Sequence, residues 1–161
     1  MLNKNELLTL FVSAIKESGW DLQYPLELPH PLELTISNGE EDENLRVYMW
    51  NITHGGAHRS KDEYRIQITG VEHLLVDDEH KTLLLGAAQL AENNIFVAFD
   101  ASIHRTFGSS PSIQVRMQTI NQAIEKGMAI QEKSRSGDGK INEIVIAMKP
   151  EFLIDYIRDF Y

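Results

Sequence analysis

Cysteine is absent from this 161-residue chain. Its absence excludes disulfide bonds, a thiolate nucleophile and zinc sites with cysteine ligands, and it fits the reducing cytoplasm, where we expect the protein to reside. Long apolar runs are absent as well, because no stretch approaches the roughly 20 residues that a membrane-spanning helix requires. The first six residues include Glu6 and lack a signal-peptide pattern, so we expect neither secretion nor a membrane partner.

Positive charge is also scarce. The chain has 15 Lys and Arg residues against 24 Asp and Glu residues, which gives a net charge of -9. This balance argues against a protein that is coated with nucleic acid or that lies on an anionic membrane. Residues 101–124 nevertheless contain no Asp or Glu. In an acidic chain, such an acid-free segment indicates a localised binding site for an anionic partner.

Hydrophobic periodicity predicts a mixture of helices and short strands. Apolar residues recur at helical spacing over 5–18, over 117–124 with Gly127 after the end, and from Pro150 onwards. Strands are expected at 32–36, 45–52, 64–69, 83–85, 95–100, 112–115, 128–132 and 143–148. The strand connections look too short for parallel crossovers. We therefore expect a single α+β domain over residues 1–161, with a mainly antiparallel, curved sheet that can close into a barrel.

Three segments carry side chains that suit DNA. The glycine-containing loop at 53–61 offers donors for phosphate oxygens or guanine edges. The strand at 64–69 turns one polar face outward with Arg and Gln, which make bidentate contacts to guanine and adenine, and residues 101–116 offer hydroxyls, backbone amides and arginines. The candidate DNA-binding residues are His54, Gly55, Gly56, His58, Arg59, Lys61, Arg65, Gln67, His104, Arg105, Ser109, Ser110, Ser112, Gln114 and Arg116.

Each of these segments also has an ordinary structural interpretation. Gly55 and Gly56 can merely turn a hairpin. Arg65 and Gln67 can belong to the solvated face that any half-exposed antiparallel strand has. The serine-rich residues 108–112 can form a cap and a turn. The residues alone leave both interpretations open.

One catalytic alternative is a small metal-dependent nuclease. Asp62, Glu79 and Lys81 are residue types that such a core requires, provided that they converge at one site. Residues 77–81 also have the composition of a charged turn before a buried strand. The nuclease therefore stays as an alternative hypothesis.

Other catalytic or metal-binding arrangements are weaker. His54 and His58 have the spacing of a ligand pair but straddle a glycine loop rather than sharing a helix face. Asp100, His104 and Ser109 are the residue types of a hydrolase triad, but no G-x-S-x-G elbow surrounds the serine. We therefore expect no catalytic residues, no metal site and no cofactor.

Five strings along the chain resemble an N-terminal module of bacterial restriction-modification and related phage-defence proteins. They are 50–56 (WNITHGG), 62–67 (DEYRIQ), 82–86 (TLLLG), 96–100 (FVAFD) and 108–115 (GSSPSIQV). The resemblance covers about residues 45–157. Modules of this kind without a nuclease motif recognise DNA, sometimes its methylation state, and several have B3-like barrel folds.

The resemblance implies a DNA-recognition module without catalysis of its own, which binds duplex DNA according to sequence or modification. A nuclease or methylase domain or subunit would then be its partner, and its fold would be a B3-like pseudo-barrel with N-terminal, middle and C-terminal helices. No DNA-contacting residue is carried over from the family. A further alternative is a protein-interaction subunit of a restriction or methylase complex.

Two geometric expectations follow. One binding surface requires the Cα atoms of 53–61 and 104–112 to approach within about 15 Å, the scale of a groove-binding face. One core requires seven apolar residues to be mostly buried, namely Tyr64, Ile66, Ile68, Leu84, Phe96, Ala98 and Phe152.

Overall fold

The computed structural model describes residues 1–54, 61–106, 112–135 and 141–160. Helix α1 spans Lys4–Glu17 and begins at a capping box, in which Asn3 Oδ1 accepts from the Glu6 amide at 2.8 Å and Glu6 Oε1 accepts from the Asn3 amide at 3.2 Å. Helix α2 spans Met117–Lys126 and ends at Gly127, whose φ of 96° favours glycine. In the described part of the chain, no helix is long and apolar enough to cross a membrane.

The C-terminal segment is helical but irregular. It begins with a 3₁₀ turn at Pro150–Phe152, continues as a short α-helix, α3, at Leu153–Asp155, and ends in a π-helical turn at Tyr156–Phe160. Proline at the first position suits a helix start because its missing N–H has no acceptor there. The three predicted helices are therefore present.

The described residues form nine strands of one sheet. Their bounds are β1 Asp21–Leu22, β2 Leu32–Ser37, β3 Asp42–Thr53, β4 Glu63–Gln67, β5 Lys81–Leu90, β6 Asn93–Phe99, β7 Ser112–Arg116, β8 Met128–Arg135 and β9 Ile141–Met148. The main order is β1-β2-β3-β5-β6-β9-β8, and β4 pairs with both β3 and β7. Among the described strands, the only parallel pair is β3–β5, so the predicted mainly antiparallel α+β class is confirmed.

The parallel pair corrects one expectation. Strands β3 and β5 run parallel from Leu45 opposite Lys81 to Asn51 opposite Ala87. The connection between them contains β4 and returns the chain to the start of β3, so a crossover exists where the sequence indicated none. Strand β5 also continues through Gly86, where a Cβ atom would lie 2.8 Å from Ile66 Cγ2. Glycine is required there by close packing and does not end the strand.

Two hydrophobic clusters lie on opposite faces of the sheet. The first packs α1 and the C-terminal segment against β2, β3 and β5, and it includes Phe11 and Ile157. The second fills the space between the main sheet, β4, β7 and α2. The predicted core residues Ile66, Ile68, Leu84, Phe96 and Ala98 are buried, whereas Tyr64 and Phe152 are half-buried.

Strands β7 and β8 are joined by side-chain hydrogen bonds, and the described residues show no backbone pairing between them. Gln131 Oε1 accepts from the Arg116 amide and from Thr119 Oγ1, both at 2.9 Å, and Lys133 Nζ donates to the Gln114 carbonyl at 2.8 Å. Side chains therefore bridge the two edges of a sheet that curls around the second cluster. Across the described strands, the sheet is open and does not close into a barrel by backbone pairing.

Candidate nucleic-acid interface

Six polar side chains share the outer face of β4 and β7. The antiparallel register sets Glu63 opposite Arg116, Arg65 opposite Gln114, and Gln67 opposite Ser112. We call these six residues the β4–β7 polar face. Successive strand residues point to opposite faces, and the intervening Ile66, Ile113 and Val115 are buried in the second cluster. The alternation predicted for β4 is therefore present.

Strand pairing brings Thr53 near the residues that follow the second predicted segment, but most of 53–61 and 104–112 lies outside the described residues, so the predicted approach of the two segments stays a prediction. Thr53 pairs with Arg65, which pairs in turn with Gln114, so Thr53 and Gln114 lie two strand spacings apart, or about 10 Å. The segments enter this unit from opposite ends of β4, however. Lys61 lies before the Glu63 end and Ser112 lies at the Gln67 end, which are about 13 Å apart along the strand.

Arg65 does not face solvent as expected. Its side chain is only 5% exposed, with Nη2 at 3.7 Å from Glu63 Oε2 and Nη1 at 3.4 Å from Ser112 Oγ. Its Nε has no hydrogen-bond partner among the described residues. Because β3 and β7 flank β4 at this point, a central position buries a side chain that an isolated strand would expose. Gln67, at the end of the strand, is exposed.

Arg116 is exposed at the junction of β7 and α2. It is the N-cap residue of α2, and the next amide, that of Met117, donates to the Asp62 carbonyl at 2.7 Å. Lys61 is also exposed, and its carbonyl lies 2.7 Å from His54 Nε2. The His54 and Tyr64 rings are perpendicular to each other, with ring centroids 5.3 Å apart. Two exposed cations therefore lie near the Glu63 end of the polar face.

His104 lies in the interior. Its Nε2 is 2.6 Å from Glu143 Oε2, which also accepts from the Asp100 amide at 3.3 Å. Glu143 is fully buried, and its Oε1 has no partner among the described residues. The expected position of His104 in an exposed loop is therefore wrong, because an acid distant in sequence holds it against β9. Arg105 beside it is exposed, and its carbonyl accepts from the Leu74 amide at 2.9 Å.

Some candidate residues lie outside the described part of the chain. They are Gly55, Gly56, His58, Arg59, Ser109 and Ser110. The remaining candidates on the polar face are Arg65, Gln67, Ser112, Gln114 and Arg116. The sequence predictions missed Glu63 on the same face, although strict alternation with Arg65 was a sufficient signal.

The residues of the nuclease alternative do not converge. Lys81 lies beside Leu45 at the start of β3 and donates to Glu43 Oε1 at 3.1 Å and to the Ile157 carbonyl at 2.8 Å. Asp62 lies beyond the opposite end of β3. That end, at Thr53, is eight residues along the strand from Leu45, or about 26 Å. A single metal centre cannot include both.

Among the described residues, one group of potential metal ligands lies in the turn before β5. Ligand atoms of Asp77, Glu79 and His80 lie within 4.8 Å of one another. Arg46 contacts two members of this group, with Nη1 at 3.0 Å from Asp77 Oδ2 and Nη2 at 3.4 Å from His80 Nδ1. Desolvation opposes ionisation of Asp77, but hydrogen bonds from Arg46 and the backbone outweigh it and lower the pKa of Asp77. The turn is thus already organised by a buried guanidinium.

The chain is similar to a known family of protein domains. The model of a family described as methylase-associated X1 matches residues 43–157, which include every strand from β4 to β9 and α2. No curated protein and no solved structure matches the chain.

Proposed function

Because the chain belongs to the methylase-associated X1 family, we propose that it is the DNA-recognition module of a restriction-modification system. It binds duplex DNA through the β4–β7 polar face and catalyses no reaction itself. A methylase domain or subunit, or a nuclease working with it, acts on the DNA that this module binds.

The observation that carries the proposal is the register of β4 and β7. It assembles arginines, glutamines and a serine from two distant segments on one rigid surface. The major groove of B-DNA is about 12 Å wide and admits a two-stranded β-ribbon. Arg and Gln are the side chains that pair with guanine and adenine edges, and hydroxyls contact phosphates.

The charge distribution supports the same surface. Residues 40–43 carry four consecutive acids at the start of β3, far from the end of that strand which pairs with β4. The β7–α2 segment carries Arg116 and no acid before Glu125. A net charge of -9 limits non-specific attraction to phosphates, so an acidic protein with one donor-rich face orients that face toward the duplex.

A salt titration tests the proposal. Binding of the whole chain to a fluorescent duplex of mixed sequence should be measurable by anisotropy at 50 mM salt and should weaken as salt rises. We expect Arg116→Ala to weaken binding and to reduce the log–log salt slope by about one unit, because one phosphate contact is lost. Lys16→Ala removes an exposed cation on α1 that lies over the Tyr24 ring, and it should keep the wild-type slope. Absence of binding at low salt would refute DNA recognition by this chain.

One observation favours a second function, docking to a methylase. Ile130 and Ile144 are 53% and 54% exposed on neighbouring strands β8 and β9. A cavity of about 400 Å³ lies beside them and is lined by Phe99, Ile146 and Tyr156, among others. Exposed apolar side chains grouped beside a cavity mark protein-interaction surfaces.

The double variant Ile130→Ser, Ile144→Ser tests docking. It should lose co-elution with the cognate methylase while duplex affinity stays at the wild-type value. Retained co-elution would exclude this face as the methylase contact.

A further inference from the structure

Glu63 is the only carboxylate on the β4–β7 polar face as the described residues define it. It lies directly opposite Arg116, and its Oε2 is 3.7 Å from Arg65 Nη2. Its side chain remains 42% exposed, whereas that of Arg65 is 5% exposed. The carboxylate is therefore the accessible member of the pair, at one end of a surface that otherwise carries donors.

A carboxylate is unfavourable on a surface that binds the DNA backbone alone. Phosphates repel it, so a face that bound only the DNA backbone would be better without it. In the major groove, however, the amino group at N4 of cytosine presents a donor, and Glu and Asp are the side chains that accept from it. A carboxylate accepts only, so it rejects the bare acceptor edges of guanine and thymine at the same position.

The two arginines make such a contact feasible. Arg116 is exposed directly across the ribbon, where it can reach a phosphate while Glu63 points into the groove. Arg65 is held by burial and offsets the charge of Glu63 without leaving the protein. Its Nε has no acceptor within the described residues, so this guanidinium keeps one N–H group that does not donate a hydrogen bond to them.

We propose that Glu63 is a specificity-determining residue that accepts a hydrogen bond from the N4 amino group of a cytosine in the major groove. This inference rests on the proposed DNA-recognition function and assigns the chemical group that the β4–β7 polar face recognises. The alternative role for Glu63 is that of a simple counter-ion for Arg65 and Arg116.

Selection from a randomised duplex pool distinguishes the two roles. The wild-type chain should enrich duplexes with an invariant cytosine at one position, and Glu63→Ala should lose that preference while binding random duplexes at least as tightly. Asp62→Asn is the matched control, since it removes the same charge from the exposed neighbouring residue outside the polar face. It should leave the selected sequence unchanged.

A single modified base gives the second measurement. Methylation at N4 of the selected cytosine replaces the groove-facing hydrogen, so wild-type affinity should fall roughly 5- to 150-fold, as for loss of a base-edge contact. The affinity of Glu63→Ala should not change. Thermal melting of Glu63→Ala and Asp62→Asn, followed by circular dichroism, checks that both variants are folded.

The outcomes distinguish the role of Glu63 from DNA recognition by the whole chain. If Glu63→Ala binds every duplex more tightly and keeps the cytosine preference, Glu63 is only a counter-ion and this inference is overturned, while DNA recognition stands. If the wild-type pool shows no invariant cytosine, the inference is likewise overturned. If the wild-type chain binds no duplex at low salt, the proposed function and this inference both fall.

Discussion

Arg65 lies directly opposite Gln114 across the antiparallel pair of β4 and β7. This relationship joins the strand that follows residues 53–61 to the acid-free segment 101–124, and the two are well separated in sequence. Both side chains lie on the face opposite to the neighbouring Ile66 and Val115, and Arg65 is itself buried there between the flanking strands. The surface is thus fixed by two short strands whose inner faces share one hydrophobic cluster, and its geometry does not depend on the conformation of a loop.

Gln67 should contribute to sequence preference more than to general affinity. It is exposed on a strand and can reach a base edge, whereas it carries no charge to neutralise a phosphate. We expect Gln67→Ala to cost about 1–3 kcal/mol on the preferred duplex and little on random DNA. Anisotropy titrations on both duplexes measure the difference.

Gln89→Ala provides the control for that measurement. Gln89 is an exposed glutamine near the end of β5, where its neighbours include residues of α1, and it should leave both affinities unchanged. If Gln67→Ala loses the same binding free energy on preferred and random duplexes, Gln67 contacts the DNA backbone and does not recognise a base.

Local patterns in the sequence predicted much of this surface. Strict alternation around Ile66 and Ile68 identified the buried face of β4, and both residues are buried. Gly127 correctly marked the end of α2, because a positive φ there suits glycine. These signals depend only on neighbouring residues and on the geometry of one element.

Long-range relationships could not be predicted in the same way. The parallel pairing of β3 with β5 depends on where an intervening strand docks, and nothing in the segments themselves encodes it. The burial of Arg65 and of His104 likewise depends on strands and an acid, Glu143, that are remote in sequence. Polar residue type predicts exposure on average, but tertiary contacts decide each case.

The His104–Glu143 pair should be important for stability. Replacing His104 with Leu leaves a fully buried carboxyl group without its closest partner, and we expect a loss of about 3 kcal/mol in the free energy of unfolding. Replacing both residues with Leu should be less destabilising than His104→Leu alone, because the buried carboxyl group is removed with its partner and only the Asp100 amide, whose bond is 3.3 Å long, loses an acceptor. Urea unfolding followed by circular dichroism measures both values.

His73→Leu is the control for the buried pair. His73 is exposed, so its replacement should change the free energy of unfolding by about 0.5 kcal/mol or less. The single variant Glu143→Leu completes the comparison, and a double variant that is destabilised by the full sum of His104→Leu and Glu143→Leu would show that the two residues do not interact.

His30 should give the protein a pH-dependent stability. Burial lowers the pKa of this imidazole, the hydrogen bond between its Nε2 and the Met49 carbonyl opposes that shift, and the positive charge of Lys4 adds to it. The unfolded chain then binds a proton more readily than the folded one, so the free energy of unfolding should decrease as the pH falls through the ordinary histidine value of about 6.5. The ring also lies 4.5 Å from Trp50, centroid to centroid, so an aromatic replacement can retain part of the packing.

The variant His30→Phe isolates this contribution. It keeps a ring beside Trp50 but cannot be protonated, so its stability should fall less than that of the wild-type chain between pH 7.5 and pH 5.5. Urea midpoints at the two pH values measure the change, and His73→Gln, at an exposed position, should retain the wild-type difference. If His30→Phe loses as much stability as the wild type on acidification, protonation of His30 does not control the acid response. Asp77 cannot account for such a loss, because its pKa is lowered below the ordinary carboxyl value and its contribution to stability is lost only at more acidic pH.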